Sequence, residues 1–223
     1  MLKISWLIMN DLKREYNEAM IDIEIYCKHL EELENQKNYS QLSKTMKGNL
    51  FLMLYNVIES IITKSLILIH NTINDEKIRV EECIDQIKDL WIKFERKKQP
   101  SNATTDSSLL IVSDFFNIQY KDYQKKIKTN KISGNLDARK IRNISSVYGL
   151  PHNTQITGKK LLIIKHNRNI LAHGEKSFSE LGRIYSQQDI NKYYKECNEF
   201  LNEYILNLET YIREKKYKKL TIW

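Results

Sequence analysis

Glycine and proline are scarce in this chain, with six glycines and two prolines in 223 residues. Both interrupt helices, so their scarcity argues for long helices with few breaks. Cysteine is present only as Cys27, Cys83 and Cys197, far apart and without a CxxC pair. That spacing implies neither a zinc site nor a disulfide framework, and it fits a reducing cytoplasm. The N-terminal "MLKISWLIMNDLKREY" holds an apolar run too short for a secretory signal, and it turns charged at once. A clean membrane span is lacking too. The longest apolar segment, residues 48–70, is long enough to cross a bilayer. Asn56, Glu59, Ser60 and Lys64 interrupt it, however, and charges at mid-bilayer are costly. A central core helix with one polar stripe is expected there, and no membrane partner.

Basic charge is what the chain has in excess. Thirty-six Lys and Arg stand against 28 Asp and Glu, a net charge of +8. Such a balance suits a polyanion, either nucleic acid or an anionic membrane, and equally a basic surface kept for solubility. The length suits one large domain with a substantial core. The expected organisation is a single domain over 1–223, with the polar stretch 97–108 as a flexible loop or insert.

Apolar periodicity predicts helices along most of the chain. Residues 5–35 carry Ile8, Leu12, Tyr16, Ala19, Ile23, Tyr26 and Leu30 at spacings of three and four. A turn at 35–43 leads to a second helix over about 43–71. A third is predicted over 74–98, with Ile84, Ile87, Trp91 and Phe94 on one stripe. Residues 109–131 are ambiguous between helix and strand and are read as helix. The segment 133–151 gives a short amphipathic helix stopped by Gly149 and Pro151. Another helix follows, with Thr157 as N-cap and Gly174 as its stop. Residues 175–186 read as a loop. Ser186 and Asp189 resemble a capping box that opens a last helix to about Tyr217. The fold class is an all-α bundle of long helices joined by short turns.

One stretch, "KHNRNILAHGEKSFSELGR" (165–183), concentrates polar chemistry within an apolar frame. Asn169 and His173 are four apart and share a helical face, with His166 seven before His173 near it. Arg168 lies five before His173, about 140° round an ideal helix. It can swing towards the histidine face, or meet a histidine from a second copy across a two-fold axis. Leu162, Ile163 and Ile170 would supply the apolar contacts that dock such a helix.

An Arg, an Asn and a His at one point can cleave RNA without a metal or cofactor, because the RNA 2′-hydroxyl is a built-in nucleophile. Histidine is the side chain suited to proton transfer near neutral pH, so His173 is the candidate base or acid. Arg168 would clamp the phosphate, with Asn169 as a further donor. Against this stands an ordinary reading, a helix-end histidine that donates to the last carbonyls. For His166 the choice is between a polar surface neighbour and a substrate contact. No thiolate or carboxylate lies nearby at zinc-ligand spacing.

At these residues the sequence resembles the HEPN superfamily (higher eukaryotes and prokaryotes nucleotide-binding). "RNILAH" (168–173) matches its arginine, polar residue, three residues, histidine signature. "RNILAHGEKSFSELGR" and "SGNLDARKIRNISSVYGL" look like segments of one prokaryotic branch. The resemblance implies an HEPN-like helical bundle with additional helices that dimerises through the signature helix. It implies a metal-independent endoribonuclease in a toxin–antitoxin or anti-phage defence system, with Arg168, Asn169 and His173 at the site. It also implies an antitoxin encoded by a neighbouring gene. In related systems such a partner modifies a tyrosine of the toxin, and Tyr185 lies just beyond the motif. The alternative function is a non-catalytic HEPN-like module that binds RNA or protein through the same surface.

Further assignments are inferences from position. Lys176 and Arg183 follow the motif, where they can reach RNA phosphate. Glu59 either orients Arg168 or His173, or is an ordinary carboxylate paired with Lys64 or another base. Tyr148 either stacks on a base or packs in the core, and core packing is the better expectation. The basic "REKKYKKL" (213–220) fits phosphate tracking or a solvated helix end.

Overall fold

Apolar side chains that recur every three or four residues need a common core, and the chain supplies one by wrapping its helices round a single central helix. The computed structural model describes residues 2–34, 36, 40–96, 135–152 and 156–219. The expected insert at 97–108 and the helix at 109–131 lie outside the described residues. Among the described residues there are seven α-helices: α1 (Leu2–Glu34), α2 (Ser40–Asp75), α3 (Asp85–Arg96), α4 (Ala138–Val147), α5 (Lys159–Ala172), α6 (Phe178–Gly182) and α7 (Gln187–Arg213). The fold is all-α, as the periodicity predicts.

α2 is the centre. It packs against α1, α5, α6 and α7. Its length and an 18-residue stretch of mean hydropathy 1.6 would let it cross a membrane. Here Leu50, Phe51, Leu54, Tyr55, Ile58, Ile62, Leu68 and Ile69 are instead completely buried by its neighbours. Each such side chain contributes about 1.5–3 kcal/mol by leaving water. α1 runs antiparallel to α2, as the Lys47–Glu34 and Lys64–Glu15 ion pairs at successive heights show. Lys64 thus pairs with α1, which leaves the Lys64 alternative for Glu59 unrealised. The α1 stripe is rotated slightly from the expected one: Met9, Met20 and Cys27 are buried with Leu12, Tyr16, Ile23 and Leu30, while Ile8, Ala19 and Tyr26 pack at the margin.

The predicted helix over 74–98 is broken in the structure. α2 runs through Asp75 and ends where Lys77 takes the left-handed conformation, φ 52°. The Ile78 amide then reaches back to the Ile73 carbonyl at 3.1 Å, which closes the helix end. A 3₁₀ turn, Val80–Glu82, precedes α3. The break has a tertiary use. Residues 82–84 pair with the chain's far end through the Cys83–Lys218 bridge, and the Ile84 amide donates to the Tyr217 carbonyl at 3.0 Å.

That pairing also decides the basic tail. α7 ends at Arg213, short of Tyr217, whose ring is buried. Lys215 binds Glu76 at 2.8 Å, Lys216 binds Glu214 at 2.9 Å, Lys218 binds Glu82 at 3.5 Å and Lys219 binds Asp85 at 3.0 Å. Each of these four lysines thus has a carboxylate partner within the chain, with which an RNA phosphate would have to compete.

Tyr148 follows the core expectation. It is 5% exposed, its hydroxyl lies 2.8 Å from His70 Nε2, and its carbonyl accepts from the Tyr211 hydroxyl at 2.6 Å. It is therefore not a base-stacking platform. The α4 stop is also as expected: Gly149 has φ 65°, and the Leu150 amide donates to the Ser145 carbonyl at 2.9 Å.

Candidate active site on the signature helix

α5 has two faces. Leu161, Ile164, Asn167 and Ile170 turn into the core, while Leu162, His166 and His173 are exposed and Asn169 is half-buried. The helix begins at Gly158 rather than at Thr157. Gly158 has φ 66°, and a Cβ there would lie 2.5 Å from the Ala138 methyl and 3.0 Å from the Phe200 ring. The missing side-chain cap is replaced from α7, whose Glu196 carboxylate accepts from the Lys160 amide at 3.0 Å. A local rule chose Thr157, and tertiary packing overrode it.

The other end is locally determined. Gly174 takes φ 69°, the Gly174 amide donates to Leu171 at 3.1 Å, and the Glu175 amide donates to Ile170 at 3.0 Å. This pair of bonds closes the helix and leaves His173 as its C-cap. Its imidazole projects into solvent and has no side-chain partner among the described residues.

Arg168 is treated oppositely. Its guanidinium lies over the Tyr55 ring, 4.4 Å from the centroid. One terminal nitrogen donates to Asn169 Oδ1 at 2.9 Å, and the other is 3.7 Å from the Glu59 carboxylate. Glu59 therefore meets Arg168. Tyr55 and Glu59 stand one turn apart on α2 and form the wall that receives the guanidinium.

Lys165, one turn before Arg168 and Asn169, is ion-paired with Asp137, the N-cap of α4. Burial tends to raise the Asp137 carboxyl. The Lys165 ammonium and the Lys140 amide outweigh that and hold it below the ordinary aspartate value.

The segment after the signature is not the expected loop. Ser177 and Glu180 form a capping box that starts α6. The Ser177 amide and hydroxyl, both donating to the Glu180 carboxylate, hold it below the usual glutamate range, with help from Arg183 and Lys176. Lys176 and Arg183 themselves are exposed. α6 presses its backbone onto α2. A Cβ at Gly182 would lie 1.8 Å from the Lys44 carbonyl oxygen, and one at Gly48 would lie 2.2 Å from that of Phe178. Only glycine permits this approach. The "SFSELG" run therefore mounts the post-signature chain on the core.

Tyr185 is half-buried. Its hydroxyl accepts from Asn167 Nδ2 at 2.7 Å, and its ring packs 4.9 Å from Phe51 and 5.5 Å from Tyr193. Of the proposed docking residues, Leu162 is 53% exposed, but Ile170 is buried in the chain's own core and Ile163 packs at its margin. The apolar contribution of that face is therefore smaller than expected.

The structure thus gathers Arg168, Asn169 and Glu59 into one contact set, with His173 on the adjoining exposed face and His166 on the same face. Sequence reasoning missed Tyr55, Asn167 and Asp137. The four-residue spacing of Tyr55 and Glu59 on a predicted helix was the available signal for the first. Asn167 carries none, since nothing local says which polar residue of the signature turns inward. Among the described residues no cluster of His, Cys, Asp and Glu is arranged to hold a metal ion.

No curated protein and no solved structure matches the chain. The family described as MAE_28990-like HEPN matches residues 8–217, from within α1 to beyond the end of α7. On that match, together with the all-α fold, the chain belongs to the MAE_28990-like HEPN family, a nuclease-like or RNA-binding helical domain.

Proposed function

We propose that the protein is a metal-independent endoribonuclease of a toxin–antitoxin or anti-phage defence system, working as a homodimer. The observation that carries this reading is the unequal treatment of two side chains on one helix. Arg168 is anchored by Glu59, Asn169 and Tyr55, while the His173 imidazole stands free in solvent at the helix end. A fixed cation suits a scissile phosphate, and a mobile imidazole suits proton transfer.

In the proposed reaction a neutral His173 takes the proton from a ribose 2′-hydroxyl. The 2′-oxygen attacks the adjacent phosphorus, and the bond to the 5′-oxygen breaks. That oxygen leaves with a proton from the protonated imidazole of the partner's His173. The products are a 2′,3′-cyclic phosphate and a 5′-hydroxyl, so atoms and charge balance. Arg168 neutralises the charge that builds on the phosphorane. Leu162, His166, Asn169 and His173 follow at spacings of four, three and four on the accessible face of α5, a stripe suited to meeting its own copy. Lys176 and Arg183 would contact flanking phosphates, and an antitoxin would act at this surface or at Tyr185.

The test is RNA cleavage in EDTA by the purified protein, with analysis of the new ends. Cyclic phosphate formation that disappears in His173→Ala supports the proposal. Cleavage that needs Mg²⁺ or survives the substitution rejects it. RNA affinity without cleavage would instead select the non-catalytic binding module.

A further inference from the structure

Arg168 is not held by its own helix alone. Tyr55, whose ring carries the guanidinium, is completely buried, and its hydroxyl accepts a hydrogen bond from the Leu136 amide at 3.1 Å. Leu136 is itself fully buried. The next residue, Asp137, caps α4 through the Lys140 amide at 2.9 Å and pairs with Lys165, one turn from Arg168 on the same edge of α5. Three elements distant in sequence therefore meet at one guanidinium. α2 supplies the ring, the 136–137 segment locks that ring and braces α5, and α5 supplies the arginine.

We propose that Tyr55 is a positioning residue for Arg168, and that the Leu136–Asp137 segment is the strut that keeps its ring in place. The physical need is plain. An arginine side chain has several rotatable bonds, and a guanidinium free to wander would have to be ordered at every turnover. The Asn169 hydrogen bond at 2.9 Å holds one terminal nitrogen, and the Glu59 carboxylate lies 3.7 Å from the other, edgewise constraints expected to act in the guanidinium plane. Neither stops it tilting out of that plane, and the face of an aromatic ring does. The hydroxyl bond to Leu136 then prevents the ring from turning away. This inference rests on the nuclease reading for its functional consequence, but the placement itself has an independent readout.

The experiment compares Tyr55→Phe with Tyr55→Leu in the full chain. Phenylalanine keeps the ring and loses the Leu136 bond, whereas leucine removes the stacking surface. Two measurements are made on each: single-turnover and steady-state cleavage of RNA, and the NMR signal of the Arg168 Nε–H, identified by its loss in Arg168→Lys. In Tyr55→Leu we expect kcat to fall about 10²-fold, the scale of a misplaced catalytic group, with KM changed less than about threefold and the ring-current shift of Arg168 lost. Tyr55→Phe keeps the ring but loses the bond to Leu136, so kcat falls by a smaller factor, about tenfold, and the shift is reduced but not lost. A Tyr55→Phe protein with wild-type kcat and shift overturns the role of the strut.

An unshifted Arg168 signal in the wild type, or equal loss of kcat in both variants, overturns the proposal. So does a Tyr55→Leu protein that keeps both kcat and the shift. If the wild type cleaves no RNA, the nuclease reading fails, and the NMR comparison alone decides whether Tyr55 orients Arg168. If Tyr55→Leu does not fold, the Tyr55→Phe and wild-type spectra still decide whether the ring holds the guanidinium.

Discussion

Two histidines show what burial does to one kind of side chain in this protein. His70 and His173 both sit near helix ends, yet they occupy opposite environments. His70 is 1% exposed near the C-terminus of α2, hydrogen-bonded to Tyr148 and edge-on to the rings of Trp91 and Tyr148. Burial pushes its pKa down to about 3, so it stays neutral at any physiological pH. His173 caps α5 in open solvent, five residues after Arg168, whose guanidinium lies over the Tyr55 ring. Placed among rings, imidazole is a neutral packing group whose polar atoms must be met inside the core. Placed at a solvated helix end, it is available for proton exchange.

The strongest way to break that contrast is to exchange the consequences of the two substitutions. His173→Ala is expected to lower RNA cleavage by about 10²–10⁴-fold with an unchanged melting temperature, as measured by cyclic-phosphate formation and circular dichroism. His70→Phe is expected to do the reverse. It should lower stability by about 0.5–1.5 kcal/mol through the lost hydrogen bond to Tyr148, and leave cleavage per folded molecule intact. If His70→Phe abolishes cleavage at full stability, the two regions are not separate.

Acid sharpens the comparison next. The unfolded chain protonates His70 near 6.5, whereas the fold keeps it neutral down to about 3. The unfolded state therefore binds the extra proton. The stability contribution is complete above about pH 6.5 and is lost as pH falls towards 3, at about 1.4 kcal/mol per unit. Urea unfolding of the wild type from pH 7 to 4 should show this slope, and His70→Phe should flatten it. Equal slopes in the two proteins would assign acid sensitivity to the carboxylates instead.

Backbone mounts provide the two smaller tests. Gly182→Ala places a methyl 1.8 Å from the Lys44 carbonyl oxygen, so α6 must lift from α2. A loss of about 2–3 kcal/mol is expected, read in the urea midpoint, together with faster proteolysis near Gly182. Gly174→Ala is milder. The new methyl meets nothing within 4 Å, and only the left-handed φ of 69° opposes it. That costs about 1 kcal/mol, and cleavage should persist because His173 remains the C-cap.

What was legible in the sequence follows from what is local. The heptad-like spacing of α1 and α7, the Ser186–Asp189 capping box, the stop at Gly149 and the end of α5 at Gly174 all depend on residues within a turn of one another. The site was legible in part for the same reason, since Arg168, Asn169 and His173 lie on one short helix. Glu59 was visible as an acid in an apolar run, although its partner was not. The errors came where distant chain segments intervene. α6 was read as loop because five residues cannot sustain a helix alone, and its stability comes from Gly48 and Gly182 against α2. The basic tail was open between phosphate tracking and a solvated helix end, and its pairing was not legible because the acidic partners Glu76, Glu82 and Asp85 lie more than a hundred residues away.

By itself the sequence determined that this chain is helical, where several of its helices stop, and that one helix ends at a histidine. Period and capping act through hydrogen bonds between near neighbours, and those are written in order along the chain. Only the tertiary structure decided that Arg168 rests on Tyr55, that Asn167 turns inward, that Gly158 replaces Thr157 as a cap, and that the C-terminal lysines have carboxylate partners. Each of these depends on surfaces brought together from far apart, where shape and burial outweigh local preference.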